Sequence, residues 1–240
     1  MKKSLVISIL ALLVAVVALV KEYLPCTHKT APVPPVNVEQ VLKDHPEYVV
    51  GALQAYEIKM REEAEAKHQA MIKENEAKLT ENNAPFQGPA DSKIVMVEFY
   101  DYACGYCRRL YPELDKLLAK NTDVKVLFRP LAYVSQYSEY AARAVLAADE
   151  QGKFSELHKE LFSAPKQLDD KLVDELAAKV GIDVEKMKAD MKSDKVNAAF
   201  ENNHSLAEKI QIEGVPSLII NGELVQSAPT AIQSKIDASK

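Results

Sequence analysis

Cys104 and Cys107 stand three residues apart in EFYDYACGYCRRL, residues 98 to 110, behind an apolar run and ahead of a basic, helix-like one. Thiols at that spacing can hold half of a metal site, close a structural bridge, or exchange disulfides. A zinc site needs about four ligands. Cys26 is far away, and His28, His45, His68, His158 and His204 form no ligand-spaced pair, so no metal is assigned. A bridge between residues three apart closes a tiny loop and removes little chain entropy. Redox exchange uses the whole context. A cysteine opening a helix meets unpaired amides and the positive end of the dipole, which favour a thiolate. Cys107, one turn later on the same face, is then the resolving thiol. A client thiolate attacks the Cys104 sulfur, and displacement of Cys104 from the mixed disulfide completes the transfer.

Glu98 is the odd residue in the strand-like run IVMVEFY. A carboxylate in a core strand is costly without a task. Six residues before Cys104, it is placed to relay a proton to or from Cys107, unless it faces solvent or pairs with a lysine. Arg108 and Arg109 add positive charge near the thiols or serve as solvated helix residues.

The elements that must position these groups follow from periodicity. Ile94–Tyr100 reads as a buried strand, CRRLYPELDKLLAKN as the helix behind it, and VKVLF, 124 to 128, as a second strand. Strand, helix, strand implies a parallel, right-handed crossover. Residues 135 to 210 contain helical segments parted by Gly152, Pro165 and Gly181. VPSLIINGELV, 215 to 225, predicts two short strands around Asn221-Gly222, a strong hairpin signal. Residues 230 to 236 read as a closing helix, and NNAPFQGPADS, 82 to 92, as a boundary of turn residues.

Upstream, residues 38 to 82 read as a helical segment. Val49, Leu53, Tyr56 and Met60 mark one face, after which charges of both signs alternate with alanines. This segment is either a solvated spacer or an oligomerisation stalk whose apolar face packs on copies of itself. Its heptads do not choose dimer or trimer. Residues 27 to 37 hold three prolines and read as an extended linker.

The N-terminus carries Lys2 and Lys3 before a 17-residue uncharged run, Ser4–Val20. That is an export signal or, uncleaved, a short anchor, and either places the rest outside the cytoplasm. Cys26 follows in YLPC, as a thiol in a tether or a lipidation site. The net charge of −5 over 240 residues gives no reason to expect a nucleic-acid partner.

VEFYDYACGYC, with GVPSLIING later, resembles the DsbA-type thiol-disulfide oxidoreductases over roughly residues 85 to 240. The resemblance implies an α/β thioredoxin fold with an inserted helical subdomain, about 135 to 210, preceded by a helical stalk. It implies that Pro216 is the cis-proline facing the cysteines, that Val215 pairs with client peptide, and that Gly105 and Tyr106, lying between the thiols, meet the client and tune the thiolate. Gly-Tyr replaces the Pro-His of strongly oxidising members, which leaves oxidant strength open. The N-terminal part is similar to the oligomerising segment of ScsC and other stalked DsbA relatives. Further implications are periplasmic location, cysteine-containing exported clients, a membrane redox partner of DsbB or DsbD type, a homodimer or homotrimer, and no cofactor. Oxidase and isomerase both fit. A binding protein that holds Cu(I) on the two cysteines is the reading from another class.

Overall fold

The computed structural model describes residues 37–81 and 84–240. The apolar run Ser4–Val20 and Cys26 lie outside them. Among the described residues no helix is long and apolar enough to cross a membrane. The chain divides into two units, one ending at Tyr56 and one running from Glu57 to Lys240.

In the first unit, α1 (Val38–Asp44) starts at Asn37, whose side chain accepts from the Gln40 amide at 3.1 Å. That bond satisfies one of the orphan donors of the first turn. α2 (Glu47–Glu74) begins directly after Pro46. Its residues Tyr48, Val49, Val50, Leu53 and Tyr56 are exposed.

The second unit is built on a five-stranded sheet: β1 (Phe86–Gln87), β2 (Ile94–Tyr100), β3 (Val124–Pro130), β4 (Ser217–Ile220) and β5 (Glu223–Val225). The spatial order is β1-β3-β2-β4-β5. β2 and β3 are parallel, with Glu98 opposite Phe128, while the other pairs are antiparallel. The parallel pair needs a crossover, supplied by α4 (Gly105–Lys120). α4 buries Cys107, Leu110, Leu114 and Leu117, spaced three, four and three, which is one face of a 3.6-residue helix. Burying each leucine is worth ~1.5–3 kcal/mol relative to exposure.

Strand alternation divides the core. Met96 and Tyr100 face α4 and the inserted helices. Val97 and Phe99 face the opposite side, with Ile72, Leu79 and Ile210. The insertion consists of α5 (Ser138–Asp149), α6 (Phe154–Phe162), α7 (Asp170–Lys179), α8 (Val184–Asp190) and α9 (Asp194–Lys209). It is more than a set of surface helices. α5 buries Ala141, Ala142, Ala144, Val145, Leu146, Ala147 and Ala148, its small residues admitting close neighbours. α10 (Pro229–Ala238) ends the chain.

The β4–β5 turn sits at Asn221 and Gly222, with φ of 47° and 76°. A type I′ hairpin requires that sign at both central residues. β1 lies inside the segment read as turn residues. Two residues are too few for a period to register, and β1 exists only because the β3 edge pairs with it. Within the helical reading of residues 38 to 82, the described residues show breaks at 45–46 and at Asn75, after which one turn, α3 (Glu76–Leu79), follows.

Candidate functional site

Cys104 is the N-cap residue of α4, with extended dihedrals, φ −75° and ψ 119°. Its carbonyl accepts the Arg108 amide at 3.0 Å, the first bond of the helix. Its side chain makes no capping bond, so Sγ is available elsewhere: it donates to the Val215 carbonyl at 3.3 Å. The Val215–Pro216 peptide is cis. Ser217 Oγ donates to the Gly214 carbonyl at 2.7 Å, and Ser227 Oγ to the Pro216 carbonyl at 2.8 Å. These two bonds brace the loop, and the Cys104 contact joins it to the start of α4.

Cys107 is 1% exposed, and both thiols are in the free form. Burial pushes the Cys107 thiol well above its usual range, and a hydrogen bond with Cys104 and the charge of Glu98 add to the rise. Glu98, on the β2 face toward α4, is 3% exposed, which removes the solvent-facing alternative. Burial lifts its carboxyl to about 8. The site therefore holds an outer sulfur at a helix start, an inner one that favours its proton, and a carboxyl below that keeps a proton at neutral pH.

Tyr106 is 71% exposed, with the Arg109 guanidinium 4.3 Å from its ring centre. Arg108 donates instead to the Ala164 carbonyl, tying α4 to the insertion. A Cβ added at Gly105 would meet the Arg109 guanidinium at 3.6 Å. A shallow cavity of about 280 Å³ lies beside Tyr106, Leu110, Pro216 and Pro229.

Sequence reasoning missed three groups around the thiols. Asp101 is fully buried and accepts from the Ala103, Tyr133 and Val134 amides and the Ser138 hydroxyl. An acidic residue at a strand end, three before a helix start, is a weak signal for such an anchor. Tyr100 and Tyr102 form the other two. Their hydroxyls lie 3.2 Å apart, and Tyr102 Oη is 2.8 Å from His158 Nδ1. Phe128 and Phe162 pack edge-on or tilted around these rings, and Phe154 stacks on His158. Burial lowers the His158 imidazole to about 3, so it stays neutral. Its position in the stripe Phe154, Leu157, Leu161, Phe162 was the readable sign of burial.

A thioredoxin sheet with a helical insertion, a two-cysteine helix start and a facing cis-proline loop is the architecture of the DsbA-type thiol-disulfide oxidoreductases. A family model described as thioredoxin matches residues 80–238, and the chain belongs to the thioredoxin family. A thioredoxin-like oxidoreductase from Silicibacter pomeroyi superposes with a TM-score of 0.65 at 31% identity, over 68% of this chain and 96% of that one. The catalytic domain of Proteus mirabilis ScsC gives a TM-score of 0.63 at 25% identity, over 71% and 97%. In sequence, a probable disulfide bond formation protein D of Bacillus anthracis is 24% identical over 163 residues, 62% of this chain and 75% of that protein. The chain spans about a fifth (21%) of the length of the curated relatives it matches first, Na(+)/H(+) antiporters of Salinispora.

Proposed function

We propose that the protein forms and isomerises disulfide bonds in exported client proteins. The observation that carries this reading is the seating of Cys104: it opens α4, one turn above Cys107, with its sulfur on the Val215 carbonyl. In isomerisation the Cys104 thiolate attacks a client disulfide, a Cys104–client S–S bond forms, and the other client sulfur leaves as a thiolate. That thiolate attacks a second client disulfide, and the thiolate released there attacks the client sulfur of the mixed disulfide so that Cys104 leaves reduced; alternatively Cys107 attacks the Cys104 sulfur, closing the Cys104–Cys107 disulfide and releasing reduced client. In oxidation a client thiolate attacks Cys104 of the oxidised pair and Cys107 leaves. Glu98, protonated up to about pH 8, hands its proton to the departing Cys107 sulfur. Tyr106 meets the client from α4, and the Val215 backbone, beyond the end of β4, pairs with the client as an added strand.

The basic and apolar N-terminus supports export to the periplasm, where clients and a membrane redox partner of DsbB or DsbD type meet the site. The exposed Val49, Leu53, Tyr56 and Met60 support self-association through the N-terminal helix. Several catalytic heads on one stalk suit isomerisation. Light scattering is expected to show an oligomer for the full chain and a lower mass for Leu53→Glu; an unchanged mass rejects the stalk.

The decisive experiment is a Cys107→Ala variant, which leaves Cys104 joined to its client. Mixed disulfides with exported proteins are expected, removable by reductant and missing after a further Cys104→Ser change. A variant that captures none overturns the proposal.

A further inference from the structure

Residues 57–74 of α2 run beside the cis-proline loop. A cavity of about 560 Å³ separates them, lined by Arg61, Ala64 and His68 on the helix and by Gly214, Val215 and Pro216 on the loop. His68 also lines a second cavity, of about 570 Å³, between α2 and the β5 edge at Leu224–Gln226. Its Nε2 is buried without a hydrogen-bond partner among the described residues. A buried polar atom is ordinarily paired, and this one belongs to a residue that lines both cavities.

The helix side of this cleft is fixed in place. Gln69 donates through Nε2 to the Gly222 carbonyl and accepts the Leu224 amide at 3.4 Å, so one side chain ties α2 to the hairpin turn and to β5. Ile72, one turn on, is fully buried. The loop side lies outside the sheet: ladder pairing of β4 with β2 begins at Ser217, after Gly214–Pro216. Val215 belongs both to this cleft and to the Cys104 contact.

We infer that α2 between Arg61 and His68 is the second wall of a client cleft. It holds the extended backbone of the client on one side of its reactive cysteine, with His68 Nε2 bonded to a client amide group. A client sulfur at Cys104 has its flanking residues leave along the Val215 loop. Three extended residues span ~10 Å, enough to enter the space between loop and helix. The inference rests on the redox reading of Cys104 for the identity of the occupant. The N-terminal helix is then part of the binding site as well as a tether.

The test uses the full chain and a fluorescein-labelled, unstructured peptide of about eight residues with serine in place of the reactive cysteine. Binding is followed by anisotropy and by the His68 ring resonances. The His68 resonances are expected to move on titration. Ala64→Trp, which fills the cleft, is expected to weaken binding about tenfold, and His68→Ala about fivefold. His68→Ala decides alone if the tryptophan form does not fold. Unmoved His68 resonances, or equal affinity of wild type and variants, overturn the inference. Exchange of the wild type with glutathione disulfide is measured in parallel. A protein inert to it that still binds peptide at His68 loses the redox reading and keeps the cleft. An active protein whose His68 is untouched does the reverse.

Discussion

The Ser138 hydroxyl donates to the Asp101 carboxylate at 2.9 Å, joining the residue three before Cys104 to the first turn of the helical insertion. The other Asp101 oxygen accepts the Tyr133 and Val134 amides at 2.8 and 2.9 Å. One buried carboxylate thus fastens the thiol loop, the exit of β3 and the entry of α5. The geometry at Cys104 depends on this junction.

Asp101→Asn should be strongly destabilising. It replaces one acceptor oxygen with an amide donor facing donors that already converge there. The expected loss is about 2–4 kcal/mol in urea unfolding, with slowed exchange at Cys104. Unfolding at the wild-type midpoint would show that the four bonds carry little energy.

Glu98→Gln should change both chemistry and stability with pH. The folded carboxyl titrates near 8 against a usual 4.5, so the folded state holds a proton that the unfolded chain gives up. Its contribution is therefore full below 4.5 and declines as pH rises to about 8. The total is on the order of 5 kcal/mol. The Gln variant should lose this decline and be the more stable form at pH 9. Its exchange rate should also lose the inflection near 8, which stopped-flow exchange with glutathione disulfide would read.

His158→Gln tests the opposite limb. The folded imidazole titrates near 3 against 6.5, so its contribution is present above 6.5 and is lost as pH falls toward 3. Between 4.5 and 6.5 the two buried groups oppose each other, and the wild type should be nearly flat. The variant, left with Glu98 alone, should gain about 1.4 kcal/mol per unit of falling pH in that window. Denaturant titrations at pH 4.5, 5.5 and 6.5 measure it, and parallel profiles for both forms would remove His158 from the account.

Gly88→Ala and Gly51→Ala should part company in thermal unfolding. Gly88 has φ +90°, and an added Cβ would lie 2.1 Å from the Val124 carbonyl. The expected cost exceeds about 3 kcal/mol. Gly51 meets nothing within 4 Å inside α2, so alanine there should stabilise by about 0.5–1 kcal/mol. Similar melting points for the two would contradict the β1–β3 approach.

What the sequence by itself determined is local. The apolar run before the cysteines, the three-residue spacing at a helix start and Asn221-Gly222 each act within a few residues, through side-chain period, helix dipole or dihedral preference. Those signals were enough to outline the strand–helix–strand frame, the inserted helices and the hairpin. The tertiary structure decided what meets what. Val215 reaches Cys104 across 111 residues, His158 reaches Tyr102 across 56, and β1 exists only against β3. No short-range pattern records these contacts, because they form when side chains of separate elements compete for the same buried volume. Asp101 and His68 belong to the same case. Each is an ordinary polar residue in its own segment, and only the closing of the fold brings Tyr133, Val134 and Ser138 to the one and the cis-proline loop beside the other.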